Sequence, residues 1–439
     1  MTFDLSGETL SNAALLHRQS FYLGPDPARV LARPFKIGPE PRDRTPTDAS
    51  RVSRIVERVL ALDPPSAEYQ LAQVLEHFEG RHRHLAATLE TRAVAMEAAL
   101  AAQGAFSSTQ RQLIGAYFLH EYSFEAVALF NPSIVAHPDQ SGAPPGGRRF
   151  ILSLRAIGEG HVSSLTFRSG SVAADGVPTV DPAARLASIP RSQRRIAGEL
   201  ADCIELEFAP DEDISERVIF PITEAQSNGI EDARFVEFDD DGRKVFYATY
   251  TAYNGSTIRS ELIETADFLR FRMTPLQGAP ARNKGMALFP RKLDGQYAMI
   301  GRQDNENLYL IRSDDLYSWG EGVLIVEPQF PWEFVQIGNC GSPIELDEGW
   351  LLLTHGVGAV RQYSIGAVLL DKEDPSRILG RSKEPLVRPE LSEREGYVPN
   401  VVYTCGAMRH HERIILPYAV CDTFCNFATL EIAALLRAM

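Results

Sequence analysis

Five short stretches place charged or amide side chains inside otherwise apolar runs, and these are where chemistry could occur. In Asn228-Gly229-Ile230-Glu231-Asp232-Ala233-Arg234-Phe235, two adjacent carboxylates and an arginine lead into a strand. Neighbours in an extended chain point to opposite faces, so at most one of Glu231 and Asp232 is expected to face a cleft. The other would pair with a local base, and a plain turn with a surface ion pair would read the same way. Arg282-Asn283-Lys284 precede the apolar run to Pro290, and Arg302 ends another. Basic groups at strand ends suit an anion or a cluster of sugar hydroxyls, though a solvated loop looks alike. In Gly338–Glu345 and Gly349–Gly356, Glu345 stands before a hairpin and His355 ends a strongly apolar strand. The fourth and fifth stretches are Glu393–Asn400, with Glu395, and Cys421-Asp422-Thr423. No Ser-His-Asp order, phosphate-cradling glycine loop, HExxH or EF-hand pattern accompanies them. Carboxylates with arginine and histidine suggest carbohydrate chemistry, in which glycosyl transfer needs a proton donor and a base or external nucleophile.

The elements that must carry these groups are strands. After Asn131-Pro132, short runs with β-branched and aromatic content follow one another, broken by turn residues, as in Phe150–Ile157, Val245–Tyr253 and Tyr363–Leu370. Asp241-Gly242 and Asp294-Gly295 read as hairpin turns. About twenty strands with few helices between them exclude a parallel α/β sheet, and five four-stranded propeller blades use that number. Before them, residues 48–128 read as a helical segment. Val52, Ile55, Val56, Val59 and Leu60 recur at helical spacing up to Asp63-Pro64-Pro65. Ser66 is the expected cap of a second helix, a third runs from His84 to about Ala102, and Ser107 or Ser108 caps a fourth. Residues 1–47 carry six prolines between Gly24 and Thr47 and read as an extended arm. The expected division is therefore an arm at 1–47, helices at 48–128 and a mainly β propeller at 129–439.

Composition narrows the partners. The 439 residues are 44% hydrophobic and 23% charged, as in ordinary globular chains. A net charge of −14 disfavours a phosphate-tracking nucleic-acid binder and an anionic membrane surface. No window is apolar enough for a membrane span, and the first residues lack a secretory pattern, so a cytoplasmic location is expected. The five cysteines are odd in number and contain no CxxC, which suits reduced thiols. Cys421 and Cys425 lack a histidine at zinc spacing, so no metal is expected.

Taken together in order, NPS at 131–133, LRAIGEG at 154–160, GIEDARFV at 229–236, TYTAY at 249–253 and NKGMALFP at 283–290 resemble glycoside-hydrolase family 130. GNCGSPIE at 338–345, GWLLLTHGV at 349–357, EREGYVPNVVYTCGA at 393–407 and CDT at 421–423 continue the resemblance. That family comprises β-mannoside phosphorylases and related mannosidases. The resemblance covers roughly the last two-thirds of the chain and implies a five-bladed β-propeller and an inverting site. It implies that Asp232 is the catalytic acid, protonating the glycosidic oxygen through a sugar hydroxyl. It places Asn131, Ser133, Arg155, Asn283, Lys284 and Asp422 around the sugar, and Arg302, His355 and, less directly, Arg282 around phosphate. Inorganic phosphate would be the co-substrate of a phosphorylase, and no cofactor or metal is implied. Glu345 departs from the pattern, because many phosphorylases carry a lysine there, and a carboxylate beside a phosphate dianion is unfavourable. Glu345 or Glu395 could instead activate water in a hydrolase, with the two carboxyls ~6.5–9.5 Å apart. The expected function is phosphorolysis of a short β-mannoside to mannose 1-phosphate. The alternatives are hydrolysis, or a non-catalytic propeller that binds sugar or protein. The helical segment lies outside the common core and could narrow the cleft or mediate self-association.

Overall fold

From Ala128 onward the strands form five blades, each starting with its innermost strand; blades one and two share one continuous sheet through a single parallel bridge, Gly229 with Ser163, and the other three are separate antiparallel sheets. The computed structural model describes residues 16–38, 50–99, 106–196 and 203–439. Blade one consists of Ala128–Ala136, Arg148–Ile157 and Ser163–Val172, with Pro178–Val180 and Val218–Ile219 at its edge. Blade two runs Gly229–Asp240, Arg243–Tyr253, Ile258–Thr265 and Arg270–Pro275, and is extended by Cys203–Glu207 and Ser192–Ile196. Blade three is Ala287–Leu288, Tyr297–Gly301, Leu308–Ser313 and Val323–Val326. Blade four sets Gln336–Asn339 and Ile344–Glu345 on Trp350–Val357, followed by Tyr363–Leu370 and Ile378–Arg381. Blade five sets Val402–Tyr403 and Met408–His410 on Arg413–Val420, followed by Phe424–Glu431. This is the expected mainly β, five-bladed propeller. Val402–Tyr403 and Met408–His410 are separate short strands, and the chain ends on the helix Ile432–Arg437 directly after the strand Phe424–Glu431.

Part of the expected arm is a structural strand instead. Leu16–Leu23 pairs antiparallel with Phe424–Glu431 and completes blade five, so the N-terminal segment closes the ring. An open outer edge would leave a row of backbone N–H and C=O groups unpaired. Within the arm Val30–Pro34 is also a strand, and the arm's residues 1–15 and 39–47 lie outside the described residues.

Both Asp-Gly turns adopt left-handed backbone at both residues, Asp241 (φ 55°) with Gly242 (87°) and Asp294 (52°) with Gly295 (82°). That geometry matches the twist of the strands they join. Aromatic packing dominates the core between blades one and two, where Phe167, Phe235, Phe268 and Phe271 have ring centroids 5.5–6.1 Å apart.

The chain divides into two compact units: Pro27–Phe124 with Ala184–Ser188, and the remainder. The smaller unit contains helices Arg51–Leu60, Pro64–Phe78, Leu85–Ala99 and Ser108–Tyr117, and a two-stranded sheet, Val30–Pro34 with Leu119–Ser123. The second helix begins earlier than Ser66. Asp63 is its cap, accepting from the Ser66 N–H at 2.9 Å, and the prolines occupy the first two helical positions, where no amide donor is needed. Ser107 caps the fourth helix with a reciprocal bond to Gln110. Val56, Val59, Ala93, Leu113, Ile114 and Phe118 form its core. Among the described residues no helix is long and apolar enough to cross a membrane.

Gly115 is where the third and fourth helices approach most closely. A Cβ there would lie 1.9 Å from the Leu89 carbonyl oxygen, a backbone atom that cannot swing aside. Gly115→Ala should therefore destabilise the helical unit by roughly 1–3 kcal/mol. Urea unfolding followed by helical circular dichroism checks this, and an unchanged midpoint would contradict the close approach.

Candidate active site

The inner segments of all five blades start at the same mouth of the channel. Asn131, Asp232, Lys284, Asn339 and Tyr403 lie near the starts of these segments and line one cavity of about 480 Å³. The same segments end around a separate cavity of about 370 Å³, lined by Val135, Asp239, Arg291, Glu345 and Arg409. Four to seven residues separate the two mouths on these segments, roughly 13–23 Å at ~3.3 Å per residue.

Asp232 is the centre of the first cavity. It sits on a bulge, because the register of its strand shifts between Glu231 and Arg234. Its backbone is left-handed (φ 52°). The extra residue breaks the alternation, so Glu231 and Asp232 both line the cavity, against the expectation that only one could. Asn131 has the same construction, with φ 48° and a register shift between Phe130 and Ser133. Asp422 (φ 49°) follows the end of its strand in the same conformation. Asn and Asp tolerate left-handed backbone better than other non-glycine residues.

The Asn131 side chain donates to Asp232 Oδ1 at 2.6 Å, and Arg155 Nη1 reaches the same oxygen at 3.3 Å. Arg155 Nη2 also donates to Glu231 Oε1 at 2.6 Å. Arg234 donates to the Asp232 carbonyl oxygen at 3.0 Å and to Tyr403 Oη at 2.8 Å, which pins the bulge from behind. Burial pushes the Asp232 carboxyl up, but Arg155, Arg234, Lys284 and the Asn131 bond outweigh it and hold it down to about 2. Burial, and then the charge of Asp232, push Asp422 up to about 6 against Arg155, Arg361 and Lys284. Near neutral pH Asp232 is thus firmly ionised, whereas Asp422 takes up a proton easily.

Across the cavity, Arg302 is 8% exposed and donates to His355 Nε2 at 3.4 Å, and a half-turn of the Gln336 amide lets its oxygen accept from Arg302 too. Burial, then the charges of Arg302 and Arg234, hold His355 well below its usual range, so it is neutral and can accept that bond. Its ring stacks on Tyr363 at 5.9 Å and packs on Tyr403 at 4.8 Å. The lining holds five cationic side chains (Arg155, Arg234, Lys284, Arg302, Arg361) against three carboxylates (Glu231, Asp232, Asp422). Several buried polar atoms of the lining have no partner: Arg302 Nε, Asn131 Oδ1, and both Asn339 Nδ2 and Oδ1. Buried polar atoms are usually satisfied, so a polar cavity with orphaned donors and acceptors and a surplus of positive charge suits a polyhydroxylated ligand and an anion.

Of the residues singled out in the sequence, Asp232, Asn131, Arg155, Lys284, Arg302, His355 and Asp422 line this cavity together. Five others do not. Ser133 is buried and accepts from the Phe235 N–H at 3.0 Å, tying blade one to blade two. Asn283 braces the loop, donating to the Arg302 carbonyl at 3.0 Å and to Asn305 Oδ1 at 2.9 Å. Arg282 is exposed in the short turn Pro280–Arg282. Glu395 is exposed and outside the lining. Glu345 lies at the far mouth, held by Arg291 at 2.9 and 3.1 Å and by Lys372 at 3.6 Å. The six residues from Asn339 to Glu345 carry it along the channel, so neither glutamate expected as a water-activating base stands in the cavity. The lining adds Glu231, Arg234, Asn305, Gln336, Asn339, Arg361, Tyr363 and Tyr403. Arg234, Asn339 and Tyr403 stood inside the motif stretches. Arg361 and Tyr363 belong to a hairpin and Asn305 and Gln336 to loop or strand-start positions with no local signal.

Two substitutions test this electrostatic layout. The Asp422 carboxyl is raised in the folded state, so its ionisation opposes folding as pH rises through about 6. Asp422→Asn should gain up to about 2–3 kcal/mol over the native protein at pH 8 and little at pH 4, measured by urea unfolding. Equal effects at both pH values would refute the shift. Glu345→Gln, outside the cavity, should leave turnover within about twofold of the native rate, since surface changes away from a site have small effects.

The family described as β-1,4-mannooligosaccharide phosphorylase, glycoside hydrolase family 130, matches residues 205–439. A 1,2-β-oligomannan phosphorylase from Thermoanaerobacter sp. (strain X514) is 36% identical over 215 residues, 48% of this chain and 70% of that protein. A β-1,2-mannobiose phosphorylase from Listeria innocua is 30% identical over 229 residues, 50% of this chain and 63% of that protein. Among solved structures, the β-1,2-mannobiose phosphorylase from Listeria innocua in complex with β-1,2-mannobiose superimposes with a TM-score of 0.53. It shares 21% identity and covers 71% of this chain and 92% of its own. A glycosyl hydrolase from Bacteroides ovatus gives 0.52 at 20% identity, covering 71% and 86%. The structural likeness bears on the fold. With the family's match spanning more than half of the sequence, this chain belongs to glycoside hydrolase family 130.

Proposed function

We propose that this protein cleaves the β-mannosidic bond of a short oligosaccharide with inversion, using inorganic phosphate in place of water and releasing mannose 1-phosphate. The observation that carries this reading is the buried cation pair of the cavity wall. Arg302, beside neutral His355, and Arg234 supply positive charge where a water-activating carboxylate would otherwise be needed. The two glutamates that would have served a hydrolase lie elsewhere.

In this reading the mannosyl unit is held by Asn131, Arg155, Lys284 and Asp422. A phosphate oxygen, oriented by Arg302 and His355, attacks the anomeric carbon as the bond to the leaving sugar breaks. The leaving oxygen takes a proton from Asp232, relayed through a sugar hydroxyl. Hydrogen phosphate loses its own proton on becoming the ester, and that proton restores Asp232, so the cycle closes without an outside acid. Held at about 2 by its cationic neighbours, Asp232 is too strong an acid to carry a proton at neutral pH. Phosphate offsets the cations that hold it there, which raises its proton affinity when both substrates are bound. The nearby Asp422, at about 6, can hold the proton in transit.

Incubation with β-1,2- and β-1,4-linked mannobiose, with and without phosphate, tests this. Mannose 1-phosphate formed only with phosphate is expected, whereas free mannose at equal rate in both would reject it. Asp232→Asn should keep the fold and sugar binding and lose at least ~100-fold in turnover, since proton transfer contributes about 10²–10⁴. Arg302→Ala should raise the phosphate KM by about 10-fold or more, the value of a charged hydrogen bond.

A further inference from the structure

Two hairpins of the propeller have the same loop. The pairs Ile157 with Ser163 and Val357 with Tyr363 close residues 158–162 and 358–362. In each the first loop N–H bonds the last loop carbonyl, Gly158 to Val162 at 3.4 Å and Gly358 to Gln362 at 2.9 Å. In each the third and fourth residues are left-handed: Gly160 (φ 70°) and His161 (59°), Val360 (55°) and Arg361 (53°). Glycine takes this conformation freely, whereas a β-branched residue is among the least suited to it. The first hairpin shows that glycine suffices for the turn. The second carries valine at the same place, a residue 89% exposed, so little packing among the described residues offsets the strain. Strain of this kind persists where it serves a site.

The surroundings indicate which site. Arg361 and Tyr363, on the same hairpin, line the active cavity, as does Gln336. Phe334 and Val335, each 62% exposed, adjoin the hairpin base through the bond from the Val335 N–H to the Val357 carbonyl at 3.0 Å. In the phosphorolysis reading the polar cavity takes the sugar whose bond breaks, while Val360, next to the lining residue Arg361 but outside the lining, can touch only what protrudes. A pyranose presents a C–H face that packs on apolar groups. We infer that Val360 contacts the leaving sugar of the β-mannoside, which is the acceptor in the reverse reaction, and thereby sets the enzyme's acceptor preference.

This rests on the phosphorolysis reading, and the test separates the two. Val360→Gly keeps the turn, relaxes its backbone and removes only the side chain. In the synthetic direction, with mannose 1-phosphate and mannose, the acceptor KM should rise about fivefold or more while the mannose 1-phosphate KM stays unchanged. An unchanged acceptor KM overturns the inference, including the case in which sedimentation shows that the variant has lost self-association and the valine meets a second copy. If the native protein forms no mannose 1-phosphate, the phosphorolysis reading fails by itself. Calorimetry with β-1,2-mannobiose then decides the contact: weaker binding by the variant upholds it, and equal binding overturns it.

Discussion

The left-handed bulge that carries Asp232 is the constraint on which the rest of the site depends. A regular strand would send Glu231 and Asp232 to opposite faces. The inserted residue turns both into the channel, and Arg234 holds the distortion by bonding the Asp232 carbonyl and the Tyr403 hydroxyl. Blade one answers with a bulge at Asn131, whose amide meets Asp232 at 2.6 Å. The two innermost strands are thus deformed at the same level, and the deformation is held by side chains from blades one, two and five. Such strain costs stability, and the packed aromatic core between blades one and two helps to hold it.

Chain direction then decides what can reach this point. Every innermost segment begins at the active mouth and runs to the opposite one, so residues a few positions downstream of a site residue are carried away from it. This is why Lys284 lines the active cavity while Arg291 does not, and why Asn339 does while Glu345 does not. Glu345, read as a water-activating base from its place in a motif, is instead the partner of Arg291 and Lys372. The closing strand Leu16–Leu23 belongs to the same geometry, because a ring of blades is stable only if its last sheet is completed.

The cavity itself is held at a high electrostatic cost. Buried Arg302 and Arg234, neutral His355 and a carboxylate at about 2 face one another in a space where orphaned amides remain. The crowded buried cations and the orphaned amides are unfavourable by themselves, although the cations stabilise the ionised Asp232, and a hydroxylated ligand and an anion would complete their hydrogen bonds.

The architecture and the main residues were legible in the sequence because they are local properties. Alternating patterns, Asp-Gly turns and capping residues depend on neighbours a few positions away, and they marked the strands, the hairpins and most helix starts. Motif stretches likewise marked Asp232, Asn131, Arg155, Lys284, Arg302, His355 and Asp422. Tertiary structure alone decided the rest. That Glu231 and Asp232 share a face follows from a bulge, which pairing with the next strand creates. That Ser133 and Asn283 brace the frame rather than line the cavity follows from partners on other blades. Arg361, Tyr363, Asn305 and Gln336 come from hairpins and loops whose sequence is unremarkable and whose position is set by ring closure. Spacing along a chain tells which face a residue takes in a regular element; only the folded ring tells which mouth of the channel it reaches.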